Sequence, residues 1–490
     1  MKKEKNEILI NSSPFETRVA LVEDGKLAEF YIERSKDRGS SGNIYKGTIV
    51  RVLPGMQAAF VHAGLERTAF LHVSDISAKF DDLDEEESKD EAKGASRIEE
   101  MLKAGQEVIV QATKEAIGSK GARVSSYVSL PGRYLVLMPT YERVGVSRRI
   151  ADEKERKRLR DIVRQARLEG FGFIIRTVCE GASAEEIRAD MDYLVKLWRS
   201  ILAKASRTKP PALLYEELDL TLRTLRDIFS PGIERILIDS KEEYERVIGF
   251  VDEFMPSLRP RVELYDGKAP LFDVYGIELE VLDALERKVW LRSGGHIVID
   301  QLEALSAIDV NTGKYVGRKN SEDTILKTNL EAVEEVTKHL RLRNIGGIIV
   351  IDFIDMAKAS NRDKVTNALR EALKKDKART NILKISELGI VEMTRKRTRE
   401  SLTQSLCEPC PYCDGNGLVK GKDTVLMDIY RELERELPLV GKKLTLYVNT
   451  EIALRLKGFD VLIKDLEERT GKKVSVKAVE MFHREDYEIA

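Results

Sequence analysis

The chain has 490 residues, of which 42% are hydrophobic and 34% are charged. This length allows two to four compact domains, and the apolar content excludes a chain that is disordered as a whole. No run approaches the roughly 18 consecutive apolar residues of a membrane-spanning helix, and no apolar segment follows the basic start, so we expect a cytoplasmic protein. The net charge of -1 carries no global sign of nucleic-acid binding, so charge has to be read locally.

The first quarter of the chain is rich in short strand patterns. Residues 1–38 contain apolar runs joined by Asp24-Gly25, a hairpin signal, but amount to an incomplete sheet. The runs between residues 42 and 73 and the run 105–115 predict a five-stranded barrel. The acidic stretch 80–92 falls between them and is predicted to be a loop inserted in this barrel.

Helices and strands are mixed in the rest of the chain. Residues 124–209 predict a small α/β unit, and residues 212–284 contain short strands and helices that would complete the sheet begun by residues 1–38. Residues 285–400 form the largest α/β core, because several strands, among them 382–393, alternate there with two long amphipathic helices. These helices are predicted at 321–343 and 361–375, and a small terminal domain is predicted at 421–490.

Two aspartates lie in strand patterns of this core. In ALSAIDVNTG, the apolar Ile308 and Val310 alternate with Asp309 and Asn311, so the carboxylate and the amide point to the same side of a strand. Asp352 ends a continuous apolar run in GGIIVIDFIDM, which is typical of a strand buried on both faces.

Carboxylate and amide oxygens of this kind are suited to magnesium. Such an ion can polarise a phosphodiester oxygen and lower the pKa of a bound water, which phosphodiester hydrolysis at neutral pH requires. The pattern therefore predicts a magnesium site at Asp309 and Asp352. Either aspartate alone could instead be a helix N-cap or a salt-bridge partner.

The predicted barrel combines basic and aromatic residues at intervals that place several on one face. Aromatic rings such as Phe60 and Phe70 offer unpaired bases a stacking surface, while Lys46, Arg51 and Arg67 would contact phosphates. Single-stranded nucleic acid is the predicted ligand. Packing in the barrel core is the alternative for Phe60.

Three of the four cysteines are clustered as Cys407, Cys410 and Cys413, too few for a disulfide framework. Cys410-Pro-Tyr-Cys413 with its following glycines has the spacing of a zinc knuckle, but one such pair supplies only half of a tetrahedral site. Cys407 leaves a three-cysteine site open. An intermolecular disulfide is the other reading, which a reducing cytosol disfavours.

Along nearly all its length the chain resembles the ribonuclease E/G family. Four motifs carry the resemblance: GxQAAFVxxGxERxxFL around Phe60, IIRT at Arg176-Thr177, AIDxN at Asp309 and VIDFIDM at Asp352. The combination is highly specific, although each motif alone would be weak.

The resemblance implies roles for residues at matching positions. Phe60 and Phe70 match aromatics that engage RNA, with Lys46 and Arg67 beside them. Asp309 and Asp352 match the magnesium ligands, Asn311 a residue that orients the attacked phosphate, and Arg379 a basic residue of the same catalytic site.

A pocket for a 5′-monophosphate is implied at Arg176, Thr177 and Arg148. A guanidinium fork and a hydroxyl can saturate the oxygens of a terminal phosphate, and a triphosphate would overfill such a pocket. A strand end at the surface is the alternative for the Arg176-Thr177 pair. The family also implies a zinc ion shared by Cys410 and Cys413 of two protomers in a homodimer, with a tetramer left open.

The fold class expected from the resemblance is multidomain α/β (α+β). An S1-type OB barrel would be inserted in a ribonuclease-H-like subdomain whose own carboxylates do no catalysis, followed by a 5′-sensor subdomain and a deoxyribonuclease-I-like catalytic subdomain. The predicted boundaries are 1–40 and 215–284 for the ribonuclease-H-like parts, 41–126 for the barrel, 127–214 for the sensor, 285–400 for the catalytic part, 401–420 for the zinc link and 421–490 for the C-terminal domain.

The predicted activity is magnesium-dependent endonucleolytic hydrolysis of single-stranded RNA, stimulated by a 5′-monophosphate, in rRNA maturation and mRNA turnover. A non-catalytic RNA-binding scaffold and a deoxyribonuclease are the alternatives. The chain lacks the long polar, proline-rich arm of the longer family members, so we expect the shorter kind of member, with a short form of the longer kind left open.

Overall fold

The structure is a computed structural model that describes residues 6–36, 39–76, 97–115, 121–228, 232–313, 321–383, 390–397, 399–437, 443–458 and 460–490. The chain divides into two compact units, Met1–Leu402 and Thr403–Ala490. In the described part, the first unit contains four sheets and the second contains one.

The first sheet joins two distant segments of the chain. Its strands are β1 (Asn6–Ser12), β2 (Glu16–Glu23), β3 (Lys26–Arg34), β14 (Ile233–Ile238) and β15 (Val262–Leu264), in the order β15-β14-β1-β2-β3. Strand β1 is parallel to β14 and antiparallel to β2. Asp24 and Gly25, with φ of 50° and 75°, form the predicted hairpin turn. Residues 1–38 therefore do share a sheet with residues from the 212–284 segment.

Four helices accompany this sheet along the chain. They are α4 (Leu220–Ile228), α5 (Lys241–Phe254), α6 (Leu271–Val274) and α7 (Ile277–Asp283). Apolar residues of α4 and α5, including Leu225, Val247 and Val251, form one core with Ile8 and Ile236 of the sheet.

The predicted five-stranded barrel is confirmed. Its strands are β4 (Ile44–Leu53), β5 (Ala58–His62), β6 (Ala69–His72), β7 (Glu107–Lys114) and β8 (Arg123–Ser125), with the short helix α1 (Ile98–Met101) between β6 and β7. Pairing of β4 with β7 closes the barrel, and β13 (Ala212–Tyr215) adds to β4 from outside. The predicted acidic insertion, 80–92, lies outside the described residues.

A small four-stranded sheet follows the barrel. It consists of β9 (Leu130–Pro131), β10 (Leu135–Met138), β11 (Val144–Val146) and β12 (Gly172–Ile175), in the order β11-β12-β10-β9. Helices α2 (Glu153–Ala166) and α3 (Ala184–Arg207) pack on it, and Ser183 with Glu186 forms a capping box at the start of α3.

The fourth sheet carries the paired aspartates. Its strands are β16 (Lys288–Trp290), β17 (His296–Gln301), β18 (Leu305–Asn311), β19 (Gly347–Asp352), β20 (Thr380–Ile382) and β21 (Ile390–Arg395), in the order β16-β17-β18-β19-β21-β20. Helices α8 (Ser321–Leu342) and α9 (Ala359–Leu373) agree within two residues with the helices predicted at 321–343 and 361–375. The predicted strand 382–393 is instead two antiparallel strands, β20 and β21.

The prediction that the strand leading to Asp352 is buried on both faces is wrong. Ile349 and Ile351 of β19 are fully buried, whereas Ile348 is 52% exposed. The reason is that α8 and α9 both pack on the same face of the sheet, where Val336 and Val365 join its core. The opposite face is left to polar and partly exposed side chains.

The second unit is a small α/β domain. After α10 (Leu402–Leu406), which spans the boundary, it contains α11 (Lys422–Glu436), β22 (Lys443–Asn449), α12 (Thr450–Lys457), α13 (Asp460–Thr470), β23 (Lys473–Val479) and β24 (Tyr487–Ile489). Its three strands lie in the order β23-β22-β24, and Ile429, Leu446 and Leu466 belong to its core. Among the helices described in the whole chain, none has the length and apolar character required to cross a membrane.

Candidate active site

The two predicted magnesium ligands are neighbours on adjacent strands. Strands β18 and β19 are parallel, and in their register Asp309 lies directly opposite Asp352. Ile308, Val310 and Ile351 turn into the core, so alternation sends both carboxylates to the uncovered face. The sheet thus brings together two carboxylates that are distant along the chain.

The electrostatics of this pair favour a cation. Partial burial and the carboxylates of Asp309 and Asp355 raise the pKa of Asp352. The Asn311 amide donates a hydrogen bond of 2.7 Å to Oδ2 of Asp309. None of the salt bridges between described residues involves Asp309 or Asp352. Oxygen donors whose negative charges repel one another fit a divalent ion such as magnesium.

The fold does not bring Arg379 to these carboxylates. Arg379 directly precedes Thr380, which lies opposite Arg395, and Arg395 lies opposite Gly347 at the start of β19. Asp352 is five residues further along that strand, or roughly 17 Å away at about 3.3 Å per residue. Arg379 is exposed at the other end of the sheet.

The barrel displays the two predicted aromatic residues side by side on its surface. Phe60 lies opposite Phe70 across β5 and β6, and their ring centroids are 6.1 Å apart in an edge-on arrangement. His72 stacks against Phe70 at 6.3 Å. Both phenylalanines are half-buried, whereas Val61 and Leu71, the next residues along the two strands, are fully buried in the barrel core. Packing alone therefore does not account for Phe60.

Two of the three predicted basic residues of the barrel, Arg67 and Lys46, differ in their surroundings. Arg67 is exposed in the β5–β6 connection. The Lys46 ammonium instead contacts the carbonyl oxygens of Ala205 at 3.2 Å and Thr208 at 3.0 Å and the Glu107 carboxylate at 2.8 Å. These acceptors use all three of its donors, so Lys46 fastens the barrel to the end of α3 and has no donor left for RNA.

The three predicted 5′-phosphate residues lie at the same end of neighbouring strands. Arg176 and Thr177 follow β12, while Arg148 follows its parallel partner β11 and is exposed. The Thr177 hydroxyl is 2.9 Å from the Ser147 hydroxyl, which connects the two strand ends. The structure therefore brings this set together.

Two acidic residues support this pocket and were missed by sequence reasoning. Asp227 forms a salt bridge of 2.7 Å with Nη2 of Arg176, and Arg226 with Arg176 lowers the pKa of Asp227 although burial opposes this. The Asp190 carboxylate accepts three backbone N–H groups of residues 133–135 at 2.9 to 3.1 Å. Both contacts bridge distant parts of the chain, and no local pattern signals them.

The cysteine cluster lies in the second unit. Hydrogen bonds from the backbone of Tyr412 and Cys413 and from the Cys413 side chain lower the pKa of Cys410. The thiol of Cys413 also accepts the backbone N–H of Gly417 at 3.2 Å. In the described part of the chain no group of three or more histidine, cysteine, aspartate or glutamate side chains is placed to hold a metal ion.

Two protein-family models match the chain. The Ribonuclease E/G family model matches residues 129–398, and the S1 RNA binding domain model matches residues 40–124. The chain is 46% identical to ribonuclease G of Haemophilus influenzae and 44% identical to ribonuclease G of Escherichia coli, with 99% of each chain covered in both cases.

The longer relatives align over part of their length. Ribonuclease E of Haemophilus influenzae is 40% identical over 92% of this chain but only 48% of its own length. The chain therefore belongs to the ribonuclease E/G family, which makes it an endoribonuclease with an S1 RNA-binding domain.

Proposed function

We propose that this endoribonuclease hydrolyses single-stranded RNA at Asp309 and Asp352 with the help of a magnesium ion. The observation that carries the proposal is the register of β18 and β19, which sets the two carboxylates opposite each other on the uncovered face of the sheet. The raised pKa of Asp352 adds to it, because a divalent ion would relieve the repulsion between these carboxylates.

In this proposal each side chain has a distinct role. Asp309 and Asp352 would hold the ion, which supplies charge stabilisation at the phosphodiester and a water of lowered pKa. Asn311 holds the Asp309 carboxylate by its hydrogen bond and, beside it, would orient the attacked phosphate. Hydrolysis would leave a 3′-hydroxyl and a 5′-phosphate. Arg379 has no part in this proposal, since it lies at the far end of the sheet.

The barrel would hold the substrate as a single strand. The surface formed by Phe60, Phe70 and His72 offers ring faces and edges for stacking, at about 1–3 kcal/mol per base, which a base-paired strand cannot use. The exposed Arg51 and Arg67 would contact phosphates, and Arg51 lies directly opposite Phe60. Lys46 is left out, because its donors are occupied.

A 5′-monophosphate would bind at Arg176, Thr177 and Arg148. The salt bridge from Asp227 holds the Arg176 guanidinium in place but also competes with an incoming phosphate. Pairing of a guanidinium fork with a phosphate explains a preference for this end over a 5′-hydroxyl.

The proposal extends to the substrates, the location, the assembly and the subdomain types of this protein. We assign rRNA precursors and mRNA as substrates in the cytoplasm, and a homodimer in which Cys410 and Cys413 of two protomers share a zinc ion. The assignment of the first sheet as ribonuclease-H-like and of the fourth as deoxyribonuclease-I-like rests on the family resemblance.

Replacement of the carboxylates tests the catalytic assignment. Asp309→Asn and Asp352→Asn are each expected to reduce cleavage of a single-stranded RNA at least a hundredfold while changing RNA affinity only a few fold, because the amide loses the charge that holds the ion. Asp300→Asn is the matched control: Asp300 lies on the same face of the sheet but pairs with Arg287. Near-normal cutting by either active-site variant would contradict the assignment.

One substrate assay separates nuclease, metal and end dependence. A single RNA is prepared with a 5′-monophosphate, 5′-triphosphate or 5′-hydroxyl and incubated with magnesium or with EDTA. Cleavage is expected only with magnesium and fastest with the 5′-monophosphate. Tight binding without cleavage under all conditions would instead identify a non-catalytic scaffold.

A further inference from the structure

An exposed tryptophan lies on the same sheet as the paired carboxylates. The chain contains two tryptophans. Trp198 belongs to α3 and is 7% exposed in the core, whereas Trp290, at the end of β16, is 64% exposed. An indole combines a large apolar face with a polar N–H, and such rings are enriched where proteins bind partners.

The strand register connects Trp290 to the candidate active site. Trp290 lies opposite His296, His296 lies opposite Asn311, and Asn311 donates its hydrogen bond to Asp309. Residues opposite each other in a sheet point to the same face. At about 4.8 Å between strands, Trp290 is only about 10 Å from Asn311. A base one or two nucleotides from the scissile phosphate would lie at this distance.

The ring of Trp290 has the neighbours expected of a base-stacking site. The Lys288 ammonium lies 4.0 Å from the ring centroid, on the same exposed side of β16. The His296 ring is 5.4 Å away and tilted by 57°. Burial and Lys288 lower the pKa of His296, while the Asp309 carboxylate opposes this shift. The Lys288 ammonium supplies the positive charge beside the indole.

We propose that Trp290 and Lys288 form a nucleobase subsite beside the cleavage site, where the indole stacks on one base of the bound single strand and the ammonium contacts the adjoining phosphate. Stacking accepts any base, because every base has an aromatic face. The subsite is separate from the Phe60 and Phe70 surface of the barrel, and it rests on the proposed function in that it serves the same cleavage at Asp309 and Asp352.

The test compares three variants on one 5′-monophosphorylated RNA of defined cleavage site. Trp290→Ala is expected to lower kcat/KM roughly tenfold, the effect of losing one stacked base, mainly through KM. Trp290→Phe should stay within threefold of the original, because it keeps an aromatic face. Leu302→Ala is the matched control, since Leu302 is 60% exposed just beyond the opposite end of β17.

Two further measurements locate the stacked base. In a series of substrates, each RNA carries an abasic ribose at a different position near the cleavage site. The original protein should cleave one of them more slowly than intact RNA, and Trp290→Ala should slow the cleavage of that substrate no further. In EDTA, the Asp309→Asn protein should show quenching of tryptophan fluorescence by the same RNA, and adding Trp290→Phe should abolish most of that quenching.

Unchanged kcat/KM in Trp290→Ala, or equal quenching with and without Trp290, would overturn the subsite. A change of molecular mass by light scattering in Trp290→Ala, with RNA affinity unaltered, would also overturn it and identify a protein–protein surface. Failure of the proposed function looks different, because Asp309→Asn would then still cleave.

Discussion

The Arg176 guanidinium has two partners before any RNA arrives. Its Nη1 donates to the Gly132 carbonyl, and its Nη2 pairs with Asp227 at 2.7 Å. Asp227 also pairs with Arg226 at 3.0 Å, so one carboxylate lies between two guanidinium groups. Arg226 in turn pairs with the Glu217 carboxylate at 2.8 Å, so a bound phosphate would have to compete with Asp227 for the Arg176 guanidinium.

We therefore expect Arg176→Ala to act through the 5′ end. Cleavage of 5′-monophosphorylated RNA should slow roughly tenfold, the scale of a charge-assisted hydrogen bond of about 1.5 kcal/mol, whereas cleavage of 5′-hydroxyl RNA should change little. The rates of both RNAs are measured side by side, with Lys157→Ala on the exposed side of α2 as the charge control. Equal slowing of both RNAs would refute a role in sensing the 5′ end.

Pairs of elements, rather than single residues, create the candidate catalytic site. The parallel register of β18 and β19 sets Asp309 against Asp352, and helices on only one face leave both carboxylates accessible. The contact between barrel and α3 is another such pair. Lys46 of β4 donates to two carbonyl oxygens at the end of α3, where the helix exposes unpaired acceptors and carries partial negative charge.

Lys46→Met should therefore lower the free energy of unfolding but leave the affinity for RNA unchanged. Removing the ammonium leaves half-buried acceptors unpaired, which we expect to cost about 1–3 kcal/mol and to lower the temperature of thermal unfolding. RNA affinity should stay within twofold. Lys114→Met, an exposed lysine of the same barrel, is the control. A selective loss of RNA affinity with normal stability would return Lys46 to the RNA-binding surface.

At the scale of the whole molecule, the second unit carries the cysteine pair. A Cys410 thiol of lowered pKa is a better metal ligand, because metals bind the thiolate. Two cysteines complete only half of a tetrahedral zinc site, so a second copy of the chain would have to supply the other half.

Zinc removal should therefore dissociate the proposed homodimer. A strong chelator is expected to halve the molecular mass measured by light scattering, and added zinc should restore it. Cys410→Ser and Cys413→Ser should behave like the chelated protein, while Cys407→Ser should remain dimeric, because the proposed shared site uses only Cys410 and Cys413 of each protomer. A mass that chelation leaves unchanged would rule out a shared zinc site.

Local sequence patterns predicted helices, strands and turns, and they also predicted the residues that lie together within one motif. Examples are the strand alternation around Asp309 and Asn311, the hairpin signal at Asp24 and the helix predicted at 321–343. Each is set by neighbours a few residues apart, and the structure contains all three. The family motifs then identified the endoribonuclease, because the whole set occurs in one order along the chain.

Tertiary structure alone decided which of these residues meet. Arg379 lies at the far end of the sheet, Lys46 is occupied by α3, Asp227 pairs with Arg176, and Trp290 faces the side of the carboxylates. Each of these facts depends on strand order, on register or on which face a helix covers. Such contacts join residues far apart in the chain, and no periodicity within a single segment encodes them.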